Sequence, residues 1–277
     1  MTRAERTTGN TRRLPGVLNR LSLARPSRDQ VFLITCVVLL TALAWAYLFH
    51  LDRQMAAAMQ YDRDMAAMGM SMDHPWTVTE ALLTFAMWAV MMVAMMAASV
   101  MPMLLLFAGT HARRGGASPA VVFFGLGYFI VWTAFSALAT LAQWALHQAA
   151  MLSPAMRVAS PRLGGVVLLV VGVYQLTPWK NKCLTHCRSP LGFLMTHWRD
   201  GQMGALRMGL AHGAYCLGCC WALMCVLFVV GVMNLAWVAV LTVMVLLEKI
   251  GPAGVWIARV AGVAIAIRGI LLLAAIA

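Results

Sequence analysis

Apolar positions in this chain gather into seven long runs separated by short polar connections. The runs cover about 31–49, 78–107, 119–146, 163–177, 205–230, 235–247 and 255–274. Several reach about 18 residues or more, enough for a helix to cross a ~30 Å hydrocarbon core. None shows the alternating ten-residue pattern of a membrane β-barrel. In lipid every backbone amide must find its partner locally, so the runs are read as helices. The predicted fold class is all-α, a polytopic helical membrane protein with about seven transmembrane helices. Pro102 is expected to end or kink the second run, and Pro178 to stop the fourth. A tight turn is expected over Gly231–Leu235, and Gly251-Pro252 breaks the chain before the last run.

Composition agrees with the pattern: 62% of the 277 residues are hydrophobic and 11% charged, against about 25% charged in a soluble domain. The net charge of +12 has a topological reading. Arg3, Arg6, Arg12, Arg13, Arg20, Arg25 and Arg28 all precede the first run, and such clusters stay on the cytoplasmic side. They also suit anionic lipid head groups, and no nucleic-acid partner is expected. Residues 1–29 are read as a basic cytoplasmic tail and 30–277 as one transmembrane domain, in a bacterial inner membrane. The first run competes with a signal peptide, because Ala42-Leu43-Ala44 resembles a cleavage site. Its length favours an uncleaved anchor. Arg259 and Arg268 lie inside the last run, where a charge needs a partner or a route to the interface. Arg259 is expected to pair with Glu248, and Arg268 to reach the outer surface.

Residues 50–76 are then an external loop, and an unusual one. Met55, Met59, Met65, Met68, Met70 and Met72 sit among aspartates and arginines, and Asp73 and His74 follow. Thioether sulfur binds Cu(I) and survives where thiols would oxidise. Met70, Met72 and His74 are therefore candidate ligands, against the alternative of an amphipathic helix lying on the membrane. In the second run Met87, Met91 and Met95 recur every four residues and share a helical face. Met92 and Met96 lie beside it. Met91 and Met95 are candidate ligands on an inward path, with ordinary packing as the competing reading. Glu80 could be a ligand or a helix-start carboxylate.

The cysteines carry the sharpest signal. Seven is an odd count, so complete internal pairing is excluded. Five of them fall between Cys183 and Cys220. Cys183 and Cys187 lie in a polar loop, 179–203, expected on the cytoplasmic side. His212, Cys216 and Cys220 are spaced by four within an apolar run, and Cys219 falls on the same helical face. Thiolates beside an imidazole suit Cu(I) or Zn, whereas Mg or Ca would want oxygen. Thiol exchange between the two cysteine groups is a third reading. Cys183 and Cys187 can meet the others only if their loop folds back into the bundle.

The loop Lys180-x-Lys182-Cys183-Leu184-x-x-Cys187-Arg188-x-Pro190 is followed by Gly213-x-x-Cys216-x-Gly218-Cys219-Cys220-Trp221-x-Leu223-Met224. Gly231-x-Met233-Asn234 and Glu248-Lys249 come after it. Together with the Met-rich second run, these resemble a bacterial family of predicted metal-binding integral membrane proteins, catalogued as a domain of unknown function. The resemblance spans about 78–250 and implies metal binding at Cys183, Cys187, Cys216, Cys219 and Cys220, with Met91, Met92, Met95 and Met96 as weaker ligands. The favoured expectation is a protein that handles Cu(I): uptake, storage or delivery to a periplasmic or membrane cuproprotein. A copper-dependent membrane oxidoreductase and a structural zinc subunit of a membrane complex stay open. So does a homo-oligomer.

Overall fold

The structure is a computed structural model that describes residues 28–68, 77–112, 119–149, 151, 158 and 160–275. Most of the basic N-terminal segment, together with Met70, Met72 and His74, lies outside the described residues. Nine helices account for nearly all the rest. They are α1 (Arg28–Ala67), α2 (Val78–Ala112), α3 (Ala120–Gln148), α4 (Pro161–Leu176) and α5 (Pro178–Arg188). α6 (Pro190–His197), α7 (Gly201–Val230), α8 (Leu235–Ile250) and α9 (Gly254–Ala274) follow. All seven apolar runs are helical, as expected.

Among the described residues five helices are long and apolar enough to span a membrane: α1, α2, α3, α7 and α9. A sixth span arises if α4 and α5 count together across their 61° bend. The expected seven is thus reduced, because α4 and α8 have only 16 residues each, about 24 Å at helical rise. Val166, Val170, Val173, Val260, Val263 and Ile267 are all exposed on α4 and α9. An apolar exterior of this kind fits a multi-pass membrane protein.

Three expectations need correction. The segment after residue 49 does not open into a loop, because α1 runs unbroken for 40 residues to Ala67. Residues 50–67 contain no Gly or Pro and are rich in Ala, Met and Gln, all strong helix formers. Pro102 does not end α2, which continues ten residues beyond it to Ala112. The 179–203 loop contains two helices, each opened by a proline at its first position, where a missing N–H costs nothing. Thr177 caps α5 by accepting from the Lys180 N–H at 3.4 Å. Glu80 proves to be a helix-start residue: it accepts from the Thr77 N–H at 2.7 Å, and the Thr77 hydroxyl accepts from the Glu80 N–H at 3.3 Å. This reciprocal pair is a capping box.

α7 is the central helix. It crosses α3 so closely that a Cβ on Gly127 would strike the Leu206 carbonyl, and one on Gly209 the Phe124 carbonyl. Gly213 meets the backbone of Tyr128 on the same face. Gly209 and Gly213 form the G-x-x-x-G spacing that brings membrane helices together. Gly125, two residues before Gly127 on α3, has open space where its side chain would be. Gly209→Val is expected to lower stability by about 1–3 kcal/mol through overpacking, read as thermal unfolding in detergent, while Gly125→Ala should leave the transition unchanged.

Candidate metal centre

The α7 face carrying Met208, His212, Cys216, Cys220 and Met224 is buried along its whole length, as is Cys219. Cys219 Sγ lies 3.3 Å from Cys220 Sγ and donates to the Cys216 carbonyl at 3.1 Å. Cys187 Sγ, from α5, comes within 3.9 Å of Cys219 Sγ. The folded-back segment therefore joins the two cysteine groups. Cys183 borders the cluster rather than joining it. Its sulfur rests on the α7 backbone at Gly218, where an added Cβ would stand 2.8 Å away.

Charge holds α5 in place. Lys180 Nζ sits 2.7 Å from Glu248 Oε2, with the two side chains 0% and 1% exposed. Gln175 bridges the same pair: Lys180 donates to its Oε1, and its Nε2 donates to Glu248 Oε1 at 3.3 Å. At the other end of α5, the Arg188 guanidinium donates to the Glu248 carbonyl at 2.7 Å and to the Pro252 carbonyl at 3.4 Å. The Glu248 carbonyl belongs to the last turn of α8, which a helix leaves unpaired, and Pro252 lies just beyond it. Glu248 is thus committed to Lys180 and not to Arg259, which lies 5.9 Å over the Trp256 ring. Arg268 lines a cleft with Ser160 and Pro161, near the start of α4.

The next residue, Lys249, turns the other way. Its buried ammonium donates to Cys216 Sγ at 2.8 Å and to Ser99 Oγ at 3.2 Å, and reaches Met96 Sδ at 3.9 Å. Tyr128 closes the group, with its hydroxyl 3.0 Å from Cys216 Sγ and 3.2 Å from Ser99 Oγ. A buried cation needs an opposite charge, and Cys216 is the partner here that can carry one. Lys249, Tyr128 and Ser99 were not among the residues expected at the site. The one sequence signal was an adjacent Glu-Lys pair closing an apolar run.

The other candidates take different places. His212 is 3% exposed and lies among Phe124, Tyr128 and Phe193, with ring centroids 6.0, 5.9 and 5.2 Å away. Its Nδ1 has no hydrogen-bond partner among the described residues. Met91 and Met95 are buried in the core with Met92 and Met96. Of these four, Met96 is the one whose sulfur reaches the Lys249 ammonium.

Among the described residues no three His, Cys, Asp or Glu side chains already surround one point as a metal site would. The sulfurs touch pair by pair instead. At a thiolate–metal bond of about 2.3 Å, two sulfurs on one ion lie at most about 4.6 Å apart. The 3.9 Å between Cys187 and Cys219 falls within that span. The donor set is soft throughout: four thiols, a thioether and an unpartnered imidazole nitrogen. The nearby carboxylate, Glu248, is occupied by a lysine.

A family model described as PpoB2, copper chaperone, matches residues 85–272. That is well over half of the chain. The chain belongs to this copper chaperone family. The PpoB2 match begins inside α2 and ends inside α9, so it takes in every residue of the sulfur cluster and leaves out α1. It agrees with the metal-binding resemblance of the sequence and adds copper to the description of the family. No curated protein and no solved structure matches the chain.

Proposed function

We propose that this protein is a membrane-embedded copper chaperone. It holds Cu(I) as cargo between thiolates of Cys187, Cys216, Cys219 and Cys220, and hands it to a cuproprotein in or beside the membrane. The observation that carries the reading is the Lys249 ammonium, 2.8 Å from Cys216 Sγ inside a buried sulfur cluster. A monovalent metal bound by two thiolates carries one net negative charge, and a neighbouring ammonium brings the group to neutrality. Zn(II) on two thiolates would leave the ammonium uncompensated, and it reaches the same neutrality only by taking three. Uncompensated charge in a dry interior costs several kcal/mol, so binding by two thiolates beside the ammonium favours Cu(I). The soft donor set points the same way. The membership in a copper chaperone family supports the metal, and the long apolar helices support the membrane.

Full-length protein purified in detergent from cells supplied with both copper and zinc should contain copper at about one ion per chain, with sulfur as the dominant neighbour in its X-ray absorption spectrum. Zinc in place of copper would overturn the reading.

A further inference from the structure

Where α6 turns into α7, His197, Arg199, Arg207, Met208 and Ala211 line a cavity of about 300 Å³. Arg199 and Arg207 are exposed, and neither is ion-paired among the described residues. The neighbouring carboxylate, Asp200, accepts from Trp198 Nε1–H at 3.0 Å. Met208 is buried, with its Sδ 3.3 Å from the Arg199 N–H. Two unpaired guanidiniums attract anions, and an imidazole and a thioether accept a soft metal. Both properties meet in one opening.

His212 connects this opening to the sulfur cluster. It stands one helical turn beyond Met208 and one turn before Cys216, about 6 Å from each along the axis. A buried imidazole nitrogen without a partner is a cost to stability with no structural return, and His212 Nδ1 is in that state. The contacts are continuous. His197 stacks on Phe193 at 4.6 Å, Phe193 meets His212 at 5.2 Å, and His212 meets Tyr128 at 5.9 Å. The Tyr128 hydroxyl then touches Cys216 Sγ at 3.0 Å.

We propose that this cavity is the copper loading port. It receives Cu(I) presented as an anionic complex with two donor ligands, such as a bis-thiolate, and passes the ion by way of Met208 and His212 to Cys216. The inference rests on the sulfur cluster being the Cu(I) site. Transfer is ligand exchange with no change of oxidation state. At each step one donor–copper bond forms as another breaks. The Met208 thioether and the His212 imidazole nitrogen exchange without a proton. Cys216 receives the ion as the thiolate paired with Lys249, and a second thiol that binds gives its proton to the thiolate freed from the carrier. The two arginines hold the anionic carrier at the mouth, while the ion alone moves inward.

The test is the rate of copper transfer, by stopped flow, from the trianionic Cu(I) bis-bicinchoninate complex to the full chain in detergent. Arg199→Gln with Arg207→Gln should slow transfer about tenfold at low ionic strength and flatten its salt dependence. Final copper content should stay as in the parent, which also shows that the variant is folded. His212→Phe should slow transfer from this donor and equally from cationic Cu(I)–acetonitrile, whereas the arginine pair should affect the anionic donor alone. Unchanged rates in the arginine variant, or equal slowing with both donors, would place the port elsewhere. A parent chain that takes up no copper would instead remove the chaperone reading itself.

Discussion

Cys216→Ser is expected to lower the Cu(I) affinity of the purified chain by at least about a hundredfold, measured by competition with bicinchoninate. Removing a group that only orients a metal ligand costs about 10–100-fold, and Cys216 stands nearer to the metal than that. Its sulfur is the one joined to both Lys249 and Tyr128. Serine would leave the buried ammonium facing a neutral hydroxyl, and it would replace a soft donor by a hard one. Cys36 and Cys225 lie outside the cluster, on the exposed face of α1 and partly buried on α7. Serine at either should leave affinity as it is. Equal losses at all three positions would mean that the cluster is not the site.

Glu248→Gln is expected to destabilise the fold by about 3–5 kcal/mol, because it leaves Lys180 charged, buried and without a counter-charge. Thermal unfolding in detergent reads the loss. Lys180→Met combined with Glu248→Gln should regain most of it, since a buried ion pair adds little beyond what an apolar replacement gives. If the single and double variants melt together, the pair does not hold α5 against α8. The single variant should also loosen Cys187, which rides on α5. Its thiol would then react faster with an alkylating reagent than in the parent.

The helices were readable because apolar runs in lipid leave the backbone no other choice. The face shared by His212, Cys216, Cys219 and Cys220 followed from spacing alone, and all four are buried together on α7. The return of Cys187 to that face was not readable. It depends on a contact between Lys180 and Glu248, which are 68 residues apart, and no local pattern announces such a partner. The place of Lys249 was unreadable for a related reason. A lysine at the end of an apolar run ordinarily snorkels to the interface, and only the neighbouring helices show that this one points inward. The methionine face of α2 was correctly placed, but periodicity treats Met91, Met95 and Met96 alike. Only packing singles out Met96. The close crossing of α3 and α7, built from Gly127 and the Gly209–Gly213 spacing, is likewise not marked by the apolar pattern, which shows neither which helices meet nor where.

The end of α8 has one further consequence. Neighbouring residues on a helix point about 100° apart, so Glu248 and Lys249 face different helices although they are adjacent. α8 is otherwise apolar over most of its circumference, and an apolar rod in lipid has little preference for one rotation over another. Turned by a single residue one way, it would set a carboxylate against the sulfurs; turned the other way, it would set Lys249 against Lys180. The pair therefore works as a key cut into an otherwise smooth shaft, and only one orientation of α8 lets the bundle close.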